Sequence, residues 1–198
     1  MSTRSITQIE SDFDRWNWET KEKTVETMPL ARFYRHCDGY PEGHGYQMAI
    51  ALAEAEFDGM SNNRNWAQQF LAKLCAMDCD IEFEPPTLAD GGWCHGDIEY
   101  LYTVRGTSDY TGGKEDDVSA PGRVTIEVRE AVGWDEKEDG SYAATLAREP
   151  IFSGTWRDYA RWLRSMDPNY VDFPYEPTSW IVGTMTEERW ERFKEESR

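Results

Sequence analysis

Between Arg32 and Gly45 the chain gathers Arg35, His36, Asp38 and His44 with Gly39, Gly43 and Gly45, framed by Tyr34 and Tyr40. These residue types do chemistry. The Arg35 guanidinium is a planar fork for carboxylate or phosphate, and His36 and His44 are of a type that titrates close to neutral pH. An apolar-aromatic run, the Asp38-Gly39 turn, Pro41 and then an apolar-periodic stretch put the cluster where a strand gives way to a helix. Unbonded N–H groups and the positive end of the helix dipole make such a junction a natural anion site. A phosphorylated ligand or a nucleotide would suit it, sequestered or hydrolysed. The same residues also have a plain structural reading. Asp38 can hold the turn through its own backbone, His36 can be satisfied beneath a helix, and Tyr40-Pro41 can be packing. The residues alone leave both readings open.

Metal chemistry has its own candidates. Cys75 and Cys79 are spaced to share a helix face, and Cys94 with His95, or Cys37, would supply further ligands. The spacing is not the Cys-x-x-Cys of a zinc ribbon, and Cys75 lies beside an apolar stripe, so buried structural thiols are expected instead. No Walker loop, dinucleotide fingerprint, His-Glu-x-x-His or Gly-x-Ser-x-Gly occurs. An Arg-His pair at a strand end is the placement used by histidine phosphatases, yet no Arg-His-Gly triplet is present. The Asp116-Asp117 pair falls in a loop without rigid backing. No catalytic residue is assigned, and no cofactor is expected.

The elements that must position the cluster follow from periodicity. Leu30–Arg35 reads as a strand. A helix starts near Gly43–Gly45 and runs to about Phe57, with Met48, Ala51, Leu52 and Ala55 on one narrow face. A second helix, capped by Asn62 or Asn63, places Trp66, Phe70, Leu74 and Met77 together and completes an αα-hairpin. Ile81–Glu84 is a short strand stopped by Pro85-Pro86. Asp97–Val104 is a stronger one, with Ile98, Tyr100, Tyr102 and Val104 on one side and Leu101 as an exception. A long Gly-, Ser- and Asp-rich loop spans Gly106–Ser119. Further strands are expected at Val124–Val128 and, after an Asp135–Gly140 turn, at Tyr142–Ala147. Thr155 or Ser153 caps a helix with Trp156, Tyr159, Ala160 and Leu163 inward. A Pro-aromatic stretch over 167–183 should lie extended, and Thr184-Met185-Thr186-Glu187 opens a last helix with Trp190 and Phe193 against the body.

Ahead of all this, Ile6, Ile9, Phe13 and Trp16 recur at helical spacing, which predicts a short amphipathic helix in an appended segment, 1–28. The expected fold is α+β: a mainly antiparallel sheet of about four strands, with the αα-hairpin and further helices on one face. The core domain is 29–166, followed by an extended segment and helix over 167–198.

The 198 residues carry 38 acidic against 21 basic side chains, a formal charge of −17. That balance repels phosphates and anionic lipid, so direct nucleic-acid binding is not expected. No apolar run reaches the roughly 20 residues of a membrane span, and no basic-then-apolar leader is seen. A cytoplasmic protein with thiol cysteines is the expectation.

The segment Tyr34-Arg35-His36-Cys37-Asp38-Gly39-Tyr40-Pro41 resembles a family of small proteins of tailed bacteriophages and prophages that share Tyr-Arg-His-x-Asp-Gly-Tyr-Pro. Those proteins are also similar in a strand like Asp97–Tyr102 and a segment like Ile151–Thr155 before a helix. The resemblance covers about residues 30–165. Cys37 stands where the family often has Trp, and both terminal stretches lie outside it. It implies a viral accessory origin and brings no established activity with it. Two functions are therefore carried forward. One is a non-enzymatic protein that binds and inhibits or redirects a host factor, such as a nuclease, CRISPR effector or other defence component, with its acidic surface against a basic nucleic-acid-binding cleft in the host cytoplasm. The alternative is a small phosphate or nucleotide pocket, sponge or hydrolase, built on the 34–45 turn.

Overall fold

The computed structural model describes residues 3–60, 66–77, 81–84, 95–108, 124–138, 142–166 and 186–198. Its strands are β1 (Ser5–Asn17), β2 (Glu22–Arg35), β3 (Ile81–Glu84), β4 (Tyr100–Ser108), β5 (Thr125–Glu136), β6 (Tyr142–Leu146) and β7 (Phe152–Gly154). Its helices are α1 (Tyr46–Phe57), α2 (Trp66–Met77), α3 (Trp156–Met166) and α4 (Glu187–Glu196), with a π-helical turn over Pro41–Gly45 leading into α1. The strands join in the order β3-β2-β1-β4-β5-β6, and β7 also pairs with β5. All neighbours are antiparallel except β1 and β4, which run parallel with Ser5 opposite Tyr100.

The fold is α+β, but the expected small, mainly antiparallel sheet of about four strands gives way to a large mixed one that curls into a half-barrel. The largest correction concerns the N-terminus. Instead of an amphipathic helix in an appended segment, Ser5–Asn17 is a central strand with a neighbour on each side. Its inward face is Ser5, Thr7, Ile9 and Ser11, all essentially inaccessible to water. Three of those four are small and polar, so the two-residue alternation of a half-buried strand does not show in the sequence. The helical spacing of Ile6, Ile9, Phe13 and Trp16 is a coincidence across both faces.

One face of the sheet holds Ile9, Phe33, Tyr102, Val104, Ile126 and Val128 against the helices. α1 lies at the centre of the helical layer, in contact with α2, α3 and α4. Gln47 to Ala55 are all buried, so α1 is enclosed all round where a narrow stripe was expected. α2 and α3 bury the residues read from their periodicity, namely Trp66, Phe70, Leu74 and Met77, and Trp156, Tyr159, Ala160 and Leu163. Thr155 and Asp158 bond reciprocally at the start of α3, and Thr186 accepts the Arg189 N–H at the start of α4. Phe193 of α4 stacks between Trp156 and Trp190. Arg157 bridges Glu56 and Glu196, while Arg189 reaches Glu54 and Asp58.

The other face carries a smaller cluster of Ile6, Tyr34, Ile98 and Leu101, covered by Ala144 and Leu146. Leu101 is thus no exception within its strand, and Ile98 belongs with it and not with Tyr102. β4 continues to Ser108 and β5 through Asp135 to Glu136, so each strand overruns the loop or turn expected there. The 109–119 part of the expected loop, Asn62-Asn63, Pro85-Pro86 and the 167–183 stretch lie outside the described residues.

Candidate functional site

β2 delivers the polar cluster at its C-terminal end. Asp38 adopts a left-handed backbone (φ 55°), a conformation that Asp tolerates better than most side chains, and its carbonyl accepts the His44 N–H at 3.0 Å. Gly39 donates to the Thr3 carbonyl at 2.9 Å and Gly43 to Tyr40 at 3.0 Å. Two tyrosines of the core fasten the turn from inside: Tyr102 Oη donates to the Gly39 carbonyl at 2.8 Å and Tyr159 Oη to the Pro41 carbonyl at 3.0 Å. Burial pushes both phenols well above their ordinary range, so they remain O–H donors.

The glycines make room for the protein itself. A Cβ on Gly39 would stand 2.8 Å from the Ser5 backbone nitrogen, and one on Gly45 would stand 1.9 Å from Tyr159 Oη. The turn's donors and its close approaches are therefore spent on internal contacts, which leaves little of the anion cradle that the strand-to-helix junction suggested.

His44 is wholly enclosed. Burial first, and then the Arg35 cation beside it, hold its pKa well below the usual histidine value. The ring is neutral, and its bonds fix the tautomer. Nδ1 accepts from an Arg35 N–H at 3.3 Å, so Nε2–H donates to Thr7 Oγ1 at 2.8 Å, whose own hydroxyl points at Met48 Sδ, 3.7 Å away. Arg35, itself buried, also donates to the Gln47 Oε1 and the Cys37 carbonyl, each at 2.6 Å. Phe33 and Tyr102 stand edge-on to the imidazole at 5.7 and 5.5 Å. This is a satisfied polar network in the core, tying β1, β2 and α1 together.

The remaining candidates sit apart from it. His36, Asp38 and Tyr40 are exposed. Tyr34 lies on the opposite face of the sheet, its hydroxyl 3.2 Å from His36 Nδ1 and its ring stacked on His95 at 3.9 Å. Burial, followed by the Asp97 carboxylate, pushes the Tyr34 phenol up to about 12. His95 Nδ1 bonds Glu84, a buried carboxylate whose other oxygen has no hydrogen-bond partner among the described residues. The sheet thus divides the sequence candidates: Arg35 and His44 on the helical side, Tyr34 with His36 and His95 on the other. Glu84 escaped the sequence reading because only the β2–β3 pairing of Arg32 with Glu84 brings it here.

Cys37 and Cys75 are exposed free thiols, contrary to the buried ones expected. Cys79 and Cys94 lie outside the described residues. Among the described residues no three His, Cys, Asp or Glu side chains are grouped to hold a metal, and no helix is long and apolar enough to cross a membrane. A cleft of about 520 Å³ opens far from the polar turn, at the tip of the β1–β2 hairpin, between Arg15, Trp16, Asn17, Trp18, Glu19 and Thr24. No family model, curated protein or solved structure matches the chain.

Proposed function

We propose that the protein acts by macromolecular contact, setting its acidic surface against the basic, nucleic-acid-binding surface of a host factor and so inhibiting or redirecting it. The observation that carries this reading is the outer face of α4. Glu187, Glu188, Glu191 and Glu195 recur there three and four residues apart, all exposed, while Arg189 and Phe193 turn inward. The helix therefore presents these carboxylates, with Glu191 bonded to Lys194 and Arg192 exposed beside it, on a chain of charge −17, a surface whose excess of acid repels phosphate and attracts cations. The resemblance to phage proteins supplies the setting, in which a defence component such as a nuclease or a CRISPR effector is the class of target. The phosphate-pocket alternative has less support, since Arg35 and His44 are engaged inside the fold.

Association with a basic partner recovered from host lysate tests this. Its rate should fall about tenfold or more between low and physiological salt. Nucleic acid should compete for the same cleft. Replacing Glu187, Glu188, Glu191 and Glu195 together by Gln should slow association and flatten its salt dependence. Binding indifferent to salt and uncontested by nucleic acid would overturn the reading.

A further inference from the structure

Among the described residues the β1–β2 hairpin outruns the rest of the sheet. There β4 accompanies β1 as far as Phe13, and β3 accompanies β2 over Arg32–Arg35. From Glu22 to Met28 the outer edge of β2 has no described strand beside it. Open edges pair readily with other strands unless something interrupts them. The interruptions here sit just inboard. Pro29 lacks an N–H, and Leu30 is the extra residue of a β-bulge, since Ile9 faces Ala31 while Glu10 faces Pro29. Outboard of them run seven regular residues, the length of an ordinary strand, with Val25 65% and Met28 45% exposed.

We propose that this edge pairs antiparallel with the same edge of a second copy of the chain, about a two-fold axis at Val25. Charge selects the register within the seven residues that Pro29 and the bulge at Leu30 leave regular. With the axis at Val25, Val25 meets Val25, Thr24 meets Glu26, Lys23 meets Thr27 and Glu22 meets Met28. No like charges face one another. Moving the axis to Thr24 sets Glu22 against Glu26 twice, and moving it to Glu26 or Lys23 opposes two identical charges on the axis itself, all of which are unfavourable. The strands behind complete the match. Within the hairpin Thr24 faces Arg15 and Thr27 faces Asp12. The row from Glu26 through the second copy's Thr24 therefore continues to its Arg15, and the row from Lys23 through Thr27 continues to Asp12. Arg15 already bridges Glu26 of its own chain at 2.8 Å. The two-fold would extend that pair across four strands. Trp16, paired with Lys23 and so on the same face as Val25, would flank the apolar centre.

Sedimentation of the full chain over a concentration series should show the mass moving from one chain to two. Moderate salt should favour the pair by screening the charge of the bodies, opposite in sign to the basic-partner contact, so the two proposals fail separately. Val25→Lys puts two ammonium groups on the axis and should leave single chains with an unchanged circular dichroism spectrum, the site being exposed. Under oxidant, Val25→Cys should cross-link to itself while Thr27→Cys, which faces residue 23, should not, with the wild type as control for Cys37 and Cys75. A single-chain mass throughout, a two-chain mass untouched by Val25→Lys, or equal cross-linking at both cysteines would overturn the assignment. So would a chain that stays single yet loses capture of a different protein on Val25→Lys, which would give the edge to a foreign strand.

Discussion

Lowering the pH from 7.5 to 5.5 should cost the fold about 1.4 kcal/mol through His44 alone. In the unfolded chain the imidazole takes up a proton near its ordinary value of 6.5, whereas in the fold burial and Arg35 keep it neutral far below that. Across this window the unfolded state binds one proton more, so stability is fully present above pH 6.5 and falls as the pH drops through it. The limiting slope is about 1.4 kcal/mol per pH unit, and the bend around 6.5 leaves about 1 kcal/mol of loss between 6.5 and 5.5. Asp58, bonded by Lys73 and Arg189, and Asp158, bonded by Thr155, are held below the usual range, so their contributions are lost only at lower pH. Urea unfolding followed by tryptophan fluorescence at several pH values measures the slope, provided m stays constant. His44→Gln is the comparison, since it removes this one imidazole and leaves every other ionisable group in place. The variant should be less stable at neutral pH but lose about 1.4 kcal/mol less on acidification. Equal pH slopes in the two proteins would refute the buried neutral imidazole.

Two further perturbations test the frame around the network. Gly45→Ala should cost about 1–3 kcal/mol by driving its new methyl into Tyr159, whereas Gly133→Ala, with nothing within 4 Å of the added carbon, should shift stability by no more than about 1 kcal/mol; chemical unfolding midpoints separate them. Glu54 is fully buried and depends on Lys73 and Arg189. Removing both cations at once should cost about 3 kcal/mol or more, and hydrogen exchange over Glu187–Glu196 should quicken because α4 loses its ion pairs to Glu54 and Asp58.

Legibility in the sequence tracked how each element meets the core. α2, α3 and α4 each bury one face, so their apolar periodicity announces them, and Thr155 marks the start of α3. α1 shows a stripe but is buried on every side, because its alanines are small enough to disappear among three other helices. β1 was illegible since it meets the interior with Ser5, Thr7 and Ser11, and the burial of Thr7 and Ser11 makes sense only once His44 and Trp66 arrive as partners. The polar turn was easy to find and hard to interpret. Its composition is that of a ligand site, yet whether Arg35 and His44 face solvent or each other depends on strands nearly a hundred residues apart closing over them.

The parallel seam between β1 and β4 sets a timetable for synthesis. Ser5 finds its partner at Tyr100 and Ile9 at Val104, so a nascent chain holds the finished β1–β2 hairpin while roughly 65 further residues, from His36 to Tyr100, are added, about 3–13 s at ordinary elongation rates. Throughout that time β1 offers a bare edge, and the ribosome exit or a chaperone is its natural company. Substitutions that slow translation between α1 and β4 would lengthen this exposure and lower the soluble yield without altering the finished molecule.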